Sequence, residues 1–506
     1  MDSLFWFVTL PSLLCCFIFY HRLLQSKKTS KVEPTEWPIV GHVCGMIANY
    51  SNYLDWSSVV LAGTGYNFKA HAGLIGAQYF ITCDPSNVRH MLTSNFANYP
   101  KGHELIEITD ILGGGIFNAD GESWHRQRAK SQLVMMDPRF RAFSARYSLH
   151  KVEKSLLPFL AHTVGGRCDL QDVFMRLTFD VTCNLVFGVD PGCLQISLPA
   201  VPFAQAMDDA MDTVFLRHVI PPALWKLMSR WEIGTEKKSA AARRTIDHFA
   251  AEVVAARKAA DHKTTCESAD MLSSFISHDD DTSGSDKFLR DMTVNLLLAG
   301  RDTVGTALSW FFYLVCSNPR VEHKILDELA TVVSSRRDDQ VTDDMVVFDA
   351  NELSGLVYLH AAMCECLRLY PPVPASHKVA VARDVLPSGH EVKAGENILI
   401  YFYSMGRMEG VWGKDCLEFK PERWINREGR LRYEPPYKFV AFNVGPRTCL
   451  GKEMAFVHMK VTTAAMLWNF AMELVPGHVV KPKLSAMLHM KNGLAVTVKR
   501  RKTWRS

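Results

Sequence analysis

The sequence lacks a Cys-x-x-Cys pair and any cysteine spacing typical of a zinc site, although 13 cysteines are scattered through its 506 residues. An odd number of scattered cysteines is typical of a reducing compartment, where most of them act as small buried hydrophobes. The chain also lacks an internal repeat and a long low-complexity linker, so we predict one large folded unit. Its net charge of +4 is too small to indicate a nucleic-acid partner.

One long apolar run, Leu4 to Leu24, lies near the start of the chain. A transmembrane helix needs about 20 predominantly apolar residues, so this run is just long enough to cross a bilayer. Lys27, Lys28 and Lys31 follow it and no basic residue precedes it, which places the rest of the chain in the cytosol by the positive-inside rule. The alternative is a cleaved signal peptide, but Asp2 occupies its n-region and no small-residue cleavage site follows.

The predicted organisation has three parts. Residues 1–25 form a single-pass membrane anchor, and residues 26–41 form a basic, proline-rich hinge, because the prolines around Trp37 cannot continue a helix. Residues 42–506 form one folded domain, in which helical apolar periodicity dominates and short β-like runs are fewer. Near its end we expect a long helix from Phe456 to Leu474 and then a small terminal sheet.

The strongest chemical signal is the decapeptide from Phe442 to Gly451, in which Cys449 lies close to two glycines and an arginine. A cysteine thiolate is one of the standard ligands of haem iron. Gly445 permits a tight turn beside a flat macrocycle, and Gly451 starts a helix whose amides can stabilise the sulfur. Arg447 suits a haem propionate. The alternative is a loop with an ordinary buried cysteine, but the whole pattern is expected by chance in fewer than about one such chain in ten thousand.

A second candidate lies where a glycine-rich loop becomes a helix near Glu122. Trp124 and Arg128 are four residues apart and therefore share a helix face. An indole N–H and a guanidinium on one face suit a haem carboxylate. The alternative is a plain amphipathic helix with one buried tryptophan.

A third candidate lies inside Phe288 to Cys316, which has few solvent-facing polar residues and is predicted to be a long buried helix. Gly300 costs about 1 kcal/mol relative to alanine in a helix interior, and Asp302 and Thr303 follow it. A small residue, an acid and a hydroxyl in one buried turn can open a groove for O₂ and relay protons to it. The alternative is a capping or packing cluster.

These motifs, in this order, resemble the haem-thiolate monooxygenases of the cytochrome P-450 superfamily. The resemblance implies a mainly α fold with a smaller β region, in which haem lies between a long central helix and the Cys loop. It implies that Asp302 and Thr303 deliver protons and that Glu365, Arg368 and Arg423 form a structural ion-pair triad. It also implies that Cys449 is the axial ligand of the iron, and that the remaining cofactor-binding residues are Arg447, Trp124, Arg128, Phe442, Gly445 and Gly451.

The finer resemblance is to the plant clan of fatty-acid and alkane hydroxylases, most of all to the mid-chain alkane hydroxylase family and its noroxomaritidine synthase-like branch, which couples phenols in alkaloid precursors. Ser94–Gly102 and Val385–His390 carry it. The chain departs from the hydroxylase pattern at Ala375-Ser376, where a bulky aromatic is usual, and at Val304-Gly305. Hydroxylation of a long aliphatic chain, oxidative phenol coupling of an aromatic alkaloid precursor, and a non-catalytic haem sensor or carrier therefore all stand as hypotheses.

The resemblance also implies partners. The chain contains no flavin or nicotinamide fingerprint after its hinge, so two electrons must come from NADPH through a separate flavin reductase. A basic face on the thiolate side could steer an acidic flavin domain. We expect the protein to lie in the endoplasmic reticulum membrane with its catalytic domain in the cytosol and a hydrophobic small molecule as substrate. The basic residues expected on that face are His125, Arg126, Lys130, Arg139, Lys438 and Lys452.

Overall fold

The computed structural model describes residues 32–37, 40–71, 78–260, 270–276, 285–336 and 345–501. Within these ranges the chain is mainly helical with a smaller β part, as predicted. The helices are α1 Val43–Ala48, α2 Tyr53–Gly63, α3 Pro85–Arg89, α4 His103–Ile108, α5 Gly121–Met136, α6 Pro138–Lys151, α7 Leu157–His162, α8 Leu170–Phe187, α9 Pro202–Val219, α10 Pro222–Arg230, α11 Thr235–Ala260, α12 Met271–Ile276, α13 Asp286–Leu297, α14 Thr303–Cys316, α15 Pro319–Ser334, α16 Ala350–Ser354, α17 Val357–Leu369, α18 Phe402–Met405, α19 Glu409–Trp412 and α20 Lys452–Asn469.

The strands form three small sheets among the described residues. The strands are β1 Asn67–His71, β2 Gln78–Thr82, β3 Arg167–Asp169, β4 Ala375–Val379, β5 Asp384–Val385, β6 Glu391–Val392, β7 Asn397–Tyr401, β8 Phe470–Leu474 and β9 Ala495–Arg500. The largest sheet has the order β1-β2-β7-β4, with β2 and β7 parallel and the other pairs antiparallel. In this sheet, His377 of β4 lies opposite Leu399 of β7. Residues 375–377 of β4 line the central cavity.

The central helix is not one regular α-helix. Between α13 and α14, residues Leu298–Asp302 form a π-helical turn, a feature that is frequent at functional sites. A Cβ on Gly300 would lie 2.4 Å from Oγ1 of Thr182 in α8. Oγ1 of Thr178 donates to the Arg301 carbonyl at 2.9 Å. The central helix therefore lies tightly against α8.

The end of the chain differs from the prediction in one element. The predicted last helix from Phe456 to Leu474 instead ends at Asn469, and residues Phe470–Leu474 form strand β8 paired with β9. The side chain of Asn469 donates to the carbonyl oxygens of Ala465 and Val346. These bonds satisfy a carbonyl of the helix's last turn, and the following residues gain ladder bonds that helical periodicity alone does not reveal. The predicted small terminal sheet is formed by β3, β9 and β8.

The predicted membrane anchor at residues 1–25 lies outside the described residues. In the part of the chain that the structure describes, no helix combines the length and apolar character that a bilayer crossing requires. Of the predicted hinge at 26–41, the described part contains a pair of backbone hydrogen bonds between Trp37 and Gly41, both of 2.8 Å.

Candidate active site

A cavity of about 580 Å³ lies between the central helix, the Cys loop, β4 and α9. Most of its lining residues are apolar, and its walls include Thr303 of the central helix and Cys449 of the loop. Trp124 and Arg128 of α5 line it as well. The structure thus brings the three sequence motifs to one enclosed space, although more than 300 residues separate Trp124 from Cys449 in the chain.

The Cys loop is held by its own backbone. The Cys449 amide donates to the Phe442 carbonyl at 2.8 Å, and the Thr448 amide donates to the Gly445 carbonyl at 3.0 Å. Gly445 has a φ of +69°, and a Cβ there would lie 2.0 Å from the Leu92 carbonyl oxygen. Glycine is therefore required at 445 both for its conformation and for the close approach of a neighbouring backbone.

Cys449 lines the cavity with its sulfur near the start of α20. Burial raises the pKa of the Cys449 thiol, whereas the Gly451 amide and the charges of Arg128 and Lys452 oppose that rise. A coordinated metal ion deprotonates a thiol outright. A Cβ on Gly451 would lie 3.9 Å from Cys449 Sγ, which is an ordinary contact. Gly451 therefore acts on the sulfur through its backbone amide and not through the absence of a side chain.

Trp124, Arg128 and Arg447 form a cluster at one side of the cavity. The guanidinium carbon of Arg447 lies 4.5 Å from the Trp124 ring centroid, and that of Arg128 lies 5.8 Å from it. Arg128 donates to the Thr448 carbonyl at 2.8 Å, and Arg447 pairs with Asp120 at 2.6 Å. Two cations thus stack against one indole, with the Cys loop bonded to one of them.

Two lysines that sequence reasoning missed join this cluster. Lys101 lines the cavity, and burial together with Arg447 lowers its pKa to about 8, against the opposing effect of Asp120. Burial and the charges of Lys101 and Arg447 lower the pKa of Lys378 well below its ordinary value. The presence of a lysine inside a buried strand was the only feature of the sequence that could have drawn attention to Lys378. No local pattern indicates what that lysine binds.

The cluster carries more positive than negative charge. Lys101, Lys378 and Arg447 lie around the carboxylate of Asp120, and Arg128 lies next to Arg447. Among the described residues, Lys378 Nζ and Arg447 Nε are buried without a hydrogen-bond partner. Unpaired buried cations are costly, so the cluster is suited to an anionic group. The two propionates of haem would supply that charge, and the donor set therefore fits haem, with the Cys449 sulfur available as the thiolate ligand and with Phe442 and Gly445 in the same loop.

Thr303 and Asp302 lie on different faces of the central helix. Thr303 lines the cavity, and its Oγ1 donates to the Ala299 carbonyl at 2.6 Å. Asp302 is fully buried, and its Oδ1 accepts from Nη1 of Arg301 at 2.6 Å. The hydroxyl therefore faces the cavity directly, while the acid lies behind it in an ion-paired setting.

The surroundings of Asp302 link three elements. Arg301 also donates to Asp208 of α9 at 3.0 Å, and His489 of the C-terminal loop brings a ligand nitrogen within 4.8 Å of both carboxylates. Oδ2 of Asp302 and Nε2 of His489 are buried without a partner among the described residues. Burial raises the pKa of Asp302 to about 7, against the opposing charge of Arg301. Asp302 can therefore hold or release a proton near neutral pH.

The predicted ion-pair triad is formed. Arg368 donates to both oxygens of Glu365 at 2.7 and 2.8 Å, and Nε of Arg423 lies 3.3 Å from Oε1 of Glu365. Trp424 Nε1 donates to the same carboxylate at 2.9 Å. Arg368 and Arg423 also donate to carbonyls of the segment 412–418, which leads towards the Cys loop. A buried pair is stable when its remaining donors are satisfied in this way.

The basic residues predicted on the thiolate side are not all free for a partner. His125 and Arg126 are exposed on α5. Arg139 is exposed but pairs with Asp137 at 3.0 Å, and Lys438 pairs with Glu434 at 2.8 Å. Two apolar side chains of α5, Leu133 and Met136, are also exposed, at 75% and 55%. The face therefore offers cations beside apolar surface.

Comparison with known proteins agrees with the resemblance that the motifs indicate. The sequence profile of the family described as Cytochrome P450 matches residues 34–500. Noroxomaritidine synthase from Narcissus aff. pseudonarcissus MK-2014 is 42% identical, and the alignment covers 96% of this chain and 95% of that protein.

Two relatives from Arabidopsis thaliana are also similar over nearly the whole chain. Cytochrome P450 86B1 is 43% identical, with 95% of this chain and 88% of that protein covered. Alkane hydroxylase MAH1 is 38% identical, with 98% of this chain and 99% of that protein covered. The resemblance inferred from the motifs therefore extends over nearly the whole chain, and the relatives include both an alkane hydroxylase and a noroxomaritidine synthase.

Proposed function

The chain belongs to the cytochrome P450 family of monooxygenases and oxidases, and from this premise we propose that it oxidises a hydrophobic small molecule of plant metabolism in its central cavity. The observation that carries the proposal is the meeting of Cys449, Thr303 and three basic side chains, Lys101, Arg128 and Arg447, around one largely apolar space. Haem bound there supplies redox chemistry with O₂, since a thiolate ligand favours cleavage of the O–O bond.

The chain's own residues hold and orient this chemistry. The Cys449 sulfur would ligate the iron, and Arg447, Arg128 and Trp124 would bind the propionates together with the two buried lysines. Phe442 and Gly445 lie in the loop that presents the sulfur, and Gly451 contributes an amide to it. The triad of Glu365, Arg368 and Arg423 holds in place the segment 412–418, which precedes the Cys loop in the chain.

Thr303 and Asp302 are proposed to handle protons. The Thr303 hydroxyl lines the cavity and can pass a proton to a group bound there. Asp302 lies next to it in the chain and titrates near neutral pH. Positioned proton transfer contributes about 10²–10⁴-fold to enzymatic rates, so loss of the hydroxyl should lower the rate strongly without loss of haem.

Electrons are proposed to come from NADPH through a separate flavin reductase. The exposed face of α5, with His125 and Arg126 beside Leu133, is the docking surface that we favour. Charged residues around an apolar centre are typical of interfaces that form quickly and dissociate again.

Two substrate classes remain. Hydroxylation of a long aliphatic chain is supported by the apolar lining and by the similarity to an alkane hydroxylase. Oxidative C–C coupling of phenols in an aromatic alkaloid precursor is supported by the small side chains at Ala375 and Ser376, which line the cavity, and by the similarity to noroxomaritidine synthase.

The test is a set of titrations of the purified haem protein with a fatty acid, a long alkane and a bis-phenolic amine, followed by the spin-state shift of the Soret band. Ligands that shift the band are then turned over with NADPH and a reductase. A shift with lipids alone contradicts phenol coupling, and a shift with the amine alone contradicts the aliphatic reading. Absence of reductase-driven oxidation of every ligand that shifts the band contradicts the catalytic proposal and favours a haem sensor or carrier.

Membrane attachment is proposed through residues 1–25, with the domain from residue 42 in the cytosol at the endoplasmic reticulum. The support is the apolar run followed by lysines. A chain that starts at residue 26 should leave the membrane fraction after an alkaline wash, whereas the full chain should stay. Equal retention of both chains contradicts the anchor.

A further inference from the structure

Two histidines face each other on the wall of the cavity. His218 lies near the end of α9 and His377 lies in β4, and both line the cavity. Nδ1 of His377 is 3.4 Å from Nε2 of His218. Neither residue has a part in holding the cofactor or in the proton path proposed above.

The partner of His218 fixes where its proton lies. Nδ1 of His218 is 2.9 Å from the Val214 carbonyl oxygen. A carbonyl oxygen accepts hydrogen bonds and cannot donate them, so Nδ1 carries the hydrogen. In a neutral imidazole the other nitrogen is then an acceptor. Nε2 of His218 therefore presents a lone pair to His377.

The same reasoning applies to His377 through two further residues. The side-chain nitrogen of Asn397 donates to Glu104 at 2.5 Å, because a carboxylate accepts. The amide oxygen of Asn397 is thereby turned towards Nε2 of His377, at 3.0 Å. Nε2 of His377 must then carry the hydrogen, and Nδ1 is the acceptor. Tyr79 donates to the second oxygen of Glu104 at 3.1 Å. This bond holds the Glu104 carboxylate, and through it the Asn397 amide, in this orientation.

The 3.4 Å contact therefore joins two acceptors and contains no hydrogen. A proton shared between the two rings would remove the repulsion between their lone pairs. Burial, however, lowers the pKa of both histidines, that of His377 to about 3. The positive charges of Lys101 and Lys378 also lower the pKa of His377. Both rings are neutral at physiological pH. Two lone pairs at one point of the cavity wall, to which no donor of the described residues is hydrogen-bonded, are a binding feature for a donor on a ligand.

We propose that His218 and His377 together recognise a hydrogen-bond donor on the substrate, a phenol O–H or an amine N–H carried by an otherwise hydrophobic molecule. The proposal rests on the proposed function, because it assigns the substrate class of the same cavity. One O–H or N–H directed between the nitrogens satisfies both acceptors. An alkane has no donor to offer, and a carboxylate would add a third acceptor.

The test measures equilibrium binding from the Soret shift, so it does not depend on turnover. The probes are a bis-phenolic secondary amine, its analogue O-methylated at both phenols, its analogue N-methylated to the quaternary ammonium, which has no N–H, and a long alkane. Since a net hydrogen bond contributes about 0.5–1.5 kcal/mol, removing the recognised donor should weaken binding to the native protein by up to about tenfold. Loss on O-methylation identifies the phenol as the donor, and loss on N-methylation identifies the amine.

Variants separate recognition from packing. His218→Phe keeps a ring but removes one of the two acceptors, so it should reduce the difference between the analogues while alkane binding stays within about twofold. His218→Gln can place its amide oxygen near the position of Nε2 and should restore most of the difference. Met211→Leu is the matched control, because it alters the same wall of α9 without removing an acceptor, and it should preserve the difference.

Several outcomes overturn the proposal. Equal affinity of the native protein for all analogues means that a trapped water or internal packing satisfies the pair. A parallel loss for every ligand in His218→Phe means a structural role. Fatty-acid binding that is lost in His218→Phe means a carboxylate site formed by proton uptake. In each case the ligands still shift the Soret band, whereas failure of the proposed function would leave the native protein with no ligand that shifts it.

Discussion

The thiolate side of the cavity and the substrate side are built in different ways. The thiolate side, formed by the Cys loop and α5, places Cys449, Arg447 and Gly445 within five consecutive residues whose own backbone bonds fix the turn. The substrate side, formed by α9, β4 and residues 485–487, brings His218 and His377 together across 159 positions of chain. The turn that presents Cys449 is therefore a largely local feature, whereas the basic cluster beside it and the histidine pair are assembled by the tertiary fold.

The largest effect should come from the thiolate side itself. Cys449→Ser removes the soft thiolate ligand, and a hydroxyl does not replace its electron donation to iron. The red-shifted carbon monoxide band of the reduced protein should disappear entirely. Cys44→Ser, which changes an exposed cysteine, should leave the band intact. Retention of the band in Cys449→Ser would refute the ligand assignment.

The next effect lies at the boundary between the two sides. Thr303→Ala removes the hydroxyl that faces the cavity, so product formation should fall by about a hundredfold while the carbon monoxide band and ligand affinity persist. Measurement of product against NADPH consumed will show whether electrons are diverted. Thr306→Ala is the matched control, because Thr306 is buried one helical turn further on. An equal loss in both variants would point to helix packing instead of proton transfer.

The smallest effect sharpens the comparison by separating stability from cofactor binding. Lys378→Met removes a buried amino group that has no hydrogen-bond partner among the described residues, so the apoprotein should gain about 1–3 kcal/mol in its free energy of unfolding by urea. The same change should speed haem transfer to a scavenging apoprotein by about tenfold, since a charge-assisted bond to a propionate is lost.

Lys378→Arg is the control for that experiment, and it should retain haem. If Lys378→Met instead lowers the stability of the apoprotein and leaves haem transfer unchanged, the lysine belongs to the packing of β4 and not to the propionate cluster.

The elements that the sequence predicted well are those with dense local signals. Helix α5 begins next to Glu122, as expected. Residues Phe470–Leu474 were predicted wrongly as helix, because their apolar content fits either period and the pairing with β9 decides.

In the site, the motif residues Cys449, Trp124 and Thr303 line one cavity, as the resemblance implied. Lys378 and His377 were not predicted as functional. Their chemistry depends on which groups surround a short strand, and no spacing within that strand contains this information. Asp302 shows the same limit, since the link from its partner Arg301 to Asp208 depends on how α9 crosses the central helix.

The close contact between the central helix and α8 restricts where this protein can change. A side chain at Gly300 would collide with Thr182, and one at Gly305 would lie 2.8 Å from the sulfur of Met175. The packing of the central helix against α8 therefore leaves little room for a larger side chain at either glycine. We therefore expect descendants of this chain with new substrates to keep these two glycines.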